Sequence, residues 1–178
     1  GITEGILLGV VLSLLLLVYR ASKPHHAFLG RIGTTNYFKN IDRFSNEIVH
    51  RDDLIILRFD AQLFFGNIGY FKTLVNKAVE EKEQTIKGFI INARAINYID
   101  ITASEQLYEL IASLQKKGIR VMVVGAIGPA RDLILKSKII SILKKQNLFI
   151  TSGDATDDFD GLCKKTPLQK KLSRQTNS

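Results

Sequence analysis

The sequence contains few of the residues from which metal and disulfide sites are built. Its single cysteine, Cys163, excludes a disulfide within the chain and a cysteine-based metal site. His25 and His26 are adjacent and His50 lies far along the chain, so the histidines lack the spacing of metal ligands. The sequence therefore predicts no metal site and no catalytic role for Cys163.

The motifs of the common enzyme classes are also absent. There is no nucleophile elbow, no H-E-x-x-H sequence and no evident acid–base pair. There is no Walker A sequence and no G-x-G-x-x-G, so a nucleotide site would depend on loop geometry alone. We predict that the chain is not an enzyme and requires no cofactor. Weak nucleotide binding is a separate hypothesis.

Charge is absent from the apolar run Gly5–Tyr19, and basic residues follow it from Arg20 onward. Its length, extended by residues 1–4, approaches the roughly 30 Å of a bilayer core. A secretory signal peptide would carry its basic residues before the run, so this order excludes one. The positive-inside tendency places the segment after Arg20 on the cytoplasmic side. Residues 1–20 are therefore predicted to be the end of a transmembrane helix.

Other interpretations concern the two ends of the chain. The apolar run could instead be a buried hairpin helix of a soluble protein, although it has no polar face. The chain lacks an initiator methionine, and we expect it to begin near or inside the last membrane helix of a longer protein. Residues 161–178 contain no acidic residue and are predicted to be a basic, disordered tail.

Between these ends, strands and helices alternate. Pro24 ends the first helix, and residues 21–35 are predicted to be a linker. Within residues 36–160, an edge strand at 36–41 precedes strands that alternate with amphipathic helices. This order predicts an α/β domain with a mostly parallel sheet, in which ligands bind at the carboxyl ends of the strands.

Three loops follow predicted strands and should meet at that edge of the sheet. They begin at Asp60, near Asp100 and at Gly125. The candidate contacts for a ligand or a protein partner in or next to these loops are Asp60, Asp100, Ser104, Gly128 and Arg131.

Helix caps and core packing account for several other residues in these loops. Thr102 and Glu105 have the spacing of a capping box, which predicts Thr102 as a helix N-cap. The alternative for Thr102 is a phosphate acceptor, because a helix start favours phosphate. Asp100 is predicted to bond the backbone of its own turn, and Asn67 to cap the helix that follows it. The patch Leu63-Phe64-Phe65 is predicted to pack in the core, with a docking surface as the alternative.

Four stretches of the sequence resemble one known family. They are GVVLSLLLLVYRASKPHHAFLGRI at 9–32, QLFFGN at 62–67, NYIDITASEQL at 97–107 and VVGAIGPARDLI at 123–134. The chain resembles the C-terminal part of a SulP-type anion transporter, in which the last membrane helix precedes a cytoplasmic STAS domain. STAS domains also occur in anti-sigma-factor antagonists.

This resemblance implies a mixed, mostly parallel sheet of about four to six strands, with helices mainly on one face and one membrane helix before it. It implies a regulatory or interaction domain of a secondary inorganic-anion (sulphate-type) transporter in the cell (inner) membrane, on the cytoplasmic side. The implied partners are the membrane domain of the same transporter, a second copy in a homodimer and a cytoplasmic regulatory protein, and not nucleic acid.

The same resemblance offers a signalling role as the alternative. In stand-alone antagonists the residue that matches Thr102 is a phosphorylated serine, and Ala103 stands where those proteins usually carry glycine. Both differences favour a transporter domain. The alternative is a membrane-tethered, antagonist-like domain switched by phosphorylation at Thr102, and a third hypothesis is a weak nucleotide-sensing module.

Overall fold

The computed structural model describes residues 1–82 and 85–162. A long N-terminal helix precedes a sheet that has helices on both of its faces. The predicted basic tail, apart from its first two residues, and Cys163 lie outside the described residues.

A six-stranded mixed sheet forms the centre of the domain. The strands are β1 (His26–Arg31), β2 (Phe38–Asn40), β3 (Leu54–Phe59), β4 (Gly88–Asn92), β5 (Arg120–Val124) and β6 (Leu148–Phe149). Their order across the sheet is β2-β1-β3-β4-β5-β6. β3 to β6 are parallel, and β1 is antiparallel to both of its neighbours. Every residue of β4 is buried, as expected for a central parallel strand that is covered on both faces. The predicted fold class is confirmed.

One prediction within this sheet is wrong. Residues 26–31 fall within the predicted linker, but they form β1 and pair with β3. Ala27 and Leu29 are buried on one face of the sheet, so this strand belongs to the core. Its partner strand begins more than twenty residues later, and short local patterns do not reveal such a pairing. The predicted edge strand at 36–41 is present as β2.

The helices cover the two faces of the sheet unequally. They are α1 (Ile2–Ser22), α2 (Ile68–Lys82), α3 (Ile101–Lys116), α4 (Gly128–Lys136), α5 (Ile139–Leu143) and α6 (Ser152–Phe159), with a 3₁₀ turn at Lys145–Asn147. α2 to α5 bury the larger core on one face, and α6 covers the smaller core on the other. α6 was not predicted from the sequence. Its signal is the N-cap Thr151, whose hydroxyl accepts the Asp154 amide at 3.1 Å.

α1 stands apart from both cores. Its 21 residues extend over about 31 Å, enough to cross the hydrocarbon core of a bilayer. None of them is buried by the rest of the chain, unlike the helix of a soluble core. α1 therefore meets the criteria of length and composition for a membrane span.

Candidate functional site

The carboxyl ends of β3, β4 and β5 form one edge of the sheet. We call it the carboxyl edge, and it consists of the loops 60–67, 93–100 and 125–127. β1 begins at this same edge, because His26 pairs with Phe59 at the end of β3. The three predicted loops therefore lie together, beside the end of α1.

Asp100 joins two of these loops. The amide of Ala103 donates to Asp100 Oδ1 at 2.7 Å, so Asp100 is the N-cap of α3. The amide of Phe65 donates to Asp100 Oδ2 at 2.9 Å. The backbones of the two loops are also joined, because Leu63 donates to the Tyr98 carbonyl at 3.0 Å. The predicted bonding of Asp100 to its own turn is present, and it extends to the neighbouring loop.

Thr102 is not a helix cap, so the capping-box prediction is wrong. α3 begins at Ile101, and Thr102 is its second residue. Asp100 has an extended backbone (φ −81°, ψ 172°) and therefore occupies the cap position itself. Thr102 is exposed in the first turn, where its hydroxyl is accessible to a modifying enzyme.

Asn67 ties the first loop to the end of α1. Its side chain is fully buried, and Oδ1 accepts the amide of Phe64 at 3.0 Å. Nδ2 donates to the Gln62 carbonyl at 2.8 Å and to the Ala21 carbonyl at 3.5 Å. The prediction that Asn67 caps α2 is wrong, because the side chain turns back toward the loop and α1.

Large apolar side chains are exposed around the start of α3. The exposed fractions are 73% for Phe65, 49% for Tyr98, 78% for Ile101 and 59% for Ile127, and we call these four residues the apolar rim. Leu63 is fully buried, so the core-packing prediction is right for Leu63 and wrong for Phe65. The sequence did not indicate Ile101 or Ile127, because an apolar residue in a turn looks the same whether it is buried or exposed.

Asp60 forms a charged junction between β3 and the end of the linker from α1. Arg58 Nε lies 2.9 Å from Asp60 Oδ1, and Arg58 Nη2 donates to Oδ2 at 3.0 Å. His25 Nδ1 lies 2.8 Å from the same Oδ2. Burial disfavours the charged carboxylate, but the hydrogen bonds with His25 and Arg58 outweigh it and lower the pKa of Asp60. The carboxylate of Asp60 is therefore bound to internal partners.

Two arginines at the carboxyl edge have no such partner. The side chain of Arg94 packs against the backbone of Gly125. A Cβ at position 125 would lie 2.5 Å from Arg94 Cγ, and the backbone there has φ +69°. Only glycine suits both conditions. Arg131 follows in the first turn of α4, which Gly128 begins. Among residues 1–82 and 85–162, no carboxylate pairs with Arg94 or Arg131. Arg94 is not among the residues predicted from the sequence.

Ser104 lies in a groove that adjoins the apolar rim, because Ile101 lines this groove as well. The groove has a volume of about 570 Å³ and lies between α3 and the α4–α5 segment, where Tyr108, Leu133 and Lys136 also line it. No group of three His, Cys, Asp or Glu side chains in the described ranges is arranged to hold a metal ion. The carboxyl edge therefore combines satisfied carboxylates, unpaired arginines and exposed apolar side chains, which suits contact with another surface better than it suits bond chemistry.

Comparison with known proteins agrees with this fold. The family model described as "STAS domain" matches residues 45–155. "Probable sulfate transporter 4.2" of Arabidopsis thaliana is 28% identical over 167 residues, which cover 87% of this chain and 24% of that protein. The murine anion transporter Slc26a9 in its inward-facing state matches with a TM-score of 0.77 and 18% identity, over 89% of this chain and 26% of that one. The anti-sigma factor antagonist SpoIIAA in its unphosphorylated form matches with a TM-score of 0.52 and 11% identity, over 65% of this chain and 96% of that one.

The fold and the match over residues 45–155 define the class: this chain belongs to the STAS domain family. Within that family, it is a STAS domain of the sulfate-transporter (SulP) type, as its curated relatives indicate. The chain spans about a quarter of the length of the curated sulfate transporters that it matches.

Proposed function

We propose that this chain provides the last membrane helix and the cytoplasmic STAS domain of a secondary anion transporter of the sulfate-permease type. In this proposal α1 lies in the cell (inner) membrane and the permeation pathway lies outside the chain. The domain regulates transport through contacts with the membrane domain of the same transporter. A second copy in a homodimer and a cytoplasmic regulatory protein are its further proposed partners. We assign the domain no catalytic role.

The observation that carries the proposal is the direct connection between α1 and the sheet. α1 ends at Ser22, and β1 begins only four residues later at His26. The Asn67 side chain reaches the Ala21 carbonyl, so the last turn of α1 contacts the carboxyl edge. A change in the position of the helix would therefore reach the loops of the domain without passing through a long linker.

Uptake of radioactive sulfate tests this proposal. The complete protein is expressed in cells that lack their own sulfate uptake, with and without residues 36–160. We expect uptake by the intact protein and altered uptake after the deletion, with equal amounts of both proteins in the membrane. Absence of uptake in both cases would contradict the sulfate assignment, and identical uptake in both would contradict a regulatory role for the domain.

Phosphorylation of Thr102 is a second candidate function. The exposed position of this threonine in the first turn of α3 favours it, because the helix start stabilises a phosphate. The fold shared with SpoIIAA supports this possibility at the level of architecture alone. Mass spectrometry of the protein from its native host tests it. Thr102 found unmodified under every growth condition would count against the signalling role.

Weak nucleotide binding stays a prediction. Two helix starts and two unpaired arginines, Arg94 and Arg131, lie at the carboxyl edge and would suit a phosphate group. Titration with GTP and ATP, followed by the amide resonances near Asp60, Thr102 and Gly128, is the test. Resonances that do not shift would argue against the nucleotide hypothesis.

A further inference from the structure

The contact between Asn67 and α1 determines where the first loop lies relative to a membrane. The apolar run of α1 ends at Tyr19, and the Ala21 carbonyl is two residues further along. With a rise of about 1.5 Å per residue, Ala21 is only about 3 Å beyond that end. The interfacial layer on each side of the hydrocarbon core is about 5 to 8 Å thick. Since Asn67 Nδ2 lies 3.5 Å from the Ala21 carbonyl, the loop 60–67 reaches this layer wherever α1 spans the bilayer.

Phe65 is the side chain of that loop best placed to meet lipid. It is 73% exposed, and the bond from its amide to Asp100 holds it at the surface beside α3. The backbone bonds between the two loops bring Tyr98 and Ile101 to the same part of the carboxyl edge. Isolated exposed apolar residues are common, but several of them at one edge of the domain, beside the exit of an apolar helix, suit contact with another apolar surface. Aromatic side chains are enriched at the level of the lipid headgroups.

The charge of this region matches an anionic bilayer surface. Arg20 and Lys23 follow the apolar run, and Lys23 Nζ lies 5.3 Å from the centre of the Tyr19 ring. Arg94 and Arg131 have no carboxylate partner in the described part of the chain. Long basic side chains near a helix end extend their charge to the headgroups while their stems stay on apolar surface.

From these observations we propose that the apolar rim of the carboxyl edge rests on the lipid interface beside α1, with Phe65 inserted as the anchor. The basic residues around it face anionic headgroups. The domain is then seated on the bilayer in a defined orientation. This inference rests on the proposed function in one respect, the insertion of α1 into the membrane.

Tryptophan fluorescence can test this contact directly, because the chain contains no tryptophan. The variant Phe65→Trp is reconstituted in phosphatidylcholine–phosphatidylserine vesicles, with or without lipids brominated near the headgroup end of their acyl chains. The matched control is Tyr37→Trp. Tyr37 is 74% exposed, like Phe65, but it lies next to β2 at the opposite end of the sheet. Leu14→Trp reports on insertion of α1 itself.

We expect the brominated lipids to remove about half or more of the emission of Phe65→Trp, as for an interfacial aromatic residue, and to leave Tyr37→Trp unchanged. Ile127→Trp, a second reporter at the apolar rim, should also be quenched. A preserved circular dichroism spectrum shows that each variant is folded.

The other outcomes overturn the proposal in distinguishable ways. If Leu14→Trp is quenched but Phe65→Trp is reached by iodide in the water, the carboxyl edge does not touch the bilayer. If Phe65→Trp is shielded from both quenchers, it packs against protein, and the occupant of the apolar rim is a protein surface. If Leu14→Trp is not quenched, α1 does not enter the membrane, and the membrane part of the proposed function fails together with this inference.

Discussion

The two edges of the sheet differ in how their charges are satisfied. At the amino edge, opposite the carboxyl edge, each arginine pairs with an aspartate: Arg31 with Asp157 at 2.6 Å, Arg120 with Asp158 at 2.6 Å, and Arg51 with both Asp53 and Asp160 at 2.7 Å. At the carboxyl edge, Asp60 pairs with Arg58 and Asp100 accepts backbone amides, whereas no carboxylate of residues 1–82 and 85–162 pairs with Arg94 or Arg131.

The two edges therefore differ in what their charged groups do. The paired charges of the amino edge stabilise the fold, and the free groups of the carboxyl edge are available for contact with another surface. Asp157 and Asp158 of α6 neutralise arginines of β1 and β5, and Asp160, which directly follows α6, neutralises Arg51 in the segment before β3. Their charges are no longer free to attract a partner. The carboxyl edge is held together by the ion pair of Asp60 with Arg58, by the Asp100 cap and by the side-chain bonds of Asn67. These contacts leave Arg94, Arg131 and the exposed apolar side chains available.

The largest loss of unfolding free energy is expected when either of two buried asparagines is replaced, Asn67 near the carboxyl edge or Asn147 near the amino edge. Asn67→Ala removes the acceptor of the Phe64 amide and two donated bonds, and we expect a loss of about 2 kcal/mol in unfolding free energy. Asn147→Ala is the matched control, because its side chain bonds Arg120 and the Leu143 carbonyl. It should cost a similar amount. Urea unfolding measures both.

Only Asn67→Ala should alter the joint between α1 and the domain. Protease cleavage near Lys23 in vesicle-bound protein should therefore become faster in Asn67→Ala and stay unchanged in Asn147→Ala. Equal cleavage rates in the two variants would show that the Asn67 side chain does not fix the end of α1.

The second prediction concerns the start of α3. Asp100→Ala removes the helix cap and the acceptor of the Phe65 amide, and should lower the unfolding free energy by about 1 to 2 kcal/mol. Thr102→Ala should change it by less than about 0.5 kcal/mol, because Thr102 is exposed and is not a cap. If the two costs were reversed in thermal or urea unfolding, Thr102 would be the cap after all.

The third prediction concerns how much each edge contributes to the pH dependence of stability. Hydrogen bonding to Arg51 lowers the pKa of Asp53, and at the carboxyl edge the bonds with His25 and Arg58 overcome burial and lower that of Asp60. A carboxyl with a lowered pKa stabilises the fold above its unfolded pKa of about 3.9, and this contribution is lost as the pH falls through the folded value. Stability should therefore decrease below about pH 4.

Substitutions at each edge can show how much of this loss of stability at low pH comes from that edge. Arg51→Met removes the partner of Asp53 and should flatten the amino-edge part of the decrease, and Asp60→Asn should flatten the carboxyl-edge part. Urea unfolding at a series of pH values measures the slope. A slope that neither substitution changes would exclude both pairs as its source.

The smallest change in stability is expected from the unpaired arginines. Arg94→Gln and Arg131→Gln break no ion pair in the described part of the chain, so each should alter the unfolding free energy by less than about 0.5 kcal/mol. Arg31→Gln, which breaks a pair with Asp157, is the contrasting variant at the amino edge and should cost more. If Arg131→Gln proved as destabilising as Arg31→Gln, the two edges would not differ as described.

Parts of the candidate site could be predicted because they depend on chain order alone. Strands that alternate with helices must place the loops after β3, β4 and β5 on the same edge, so the proximity of Asp60, Asp100 and Gly128 followed from the pattern. Arg94 could not be identified in this way. The Arg94 side chain lies against Gly125, which follows β5, a different strand from the one that precedes Arg94. Nothing in the sequence around Arg94 predicts this contact.

The sequence by itself determined the apolar helix α1, the buried strands β3 to β5 and the order in which they occur. Each is a continuous apolar run or a periodic pattern, and burial of such a run is favourable wherever it packs. Tertiary structure decided the pairing of β1, the choice of Asp100 over Thr102 as the cap and the exposure of Phe65. The pairing of β1 and the position of Phe65 depend on hydrogen bonds between segments that are distant in the chain, such as the bond from Phe65 to Asp100, and a local pattern of residues does not contain them. The cap itself is a local bond from the Ala103 amide to Asp100, and only the backbone conformation of Asp100 distinguishes it from the predicted cap at Thr102.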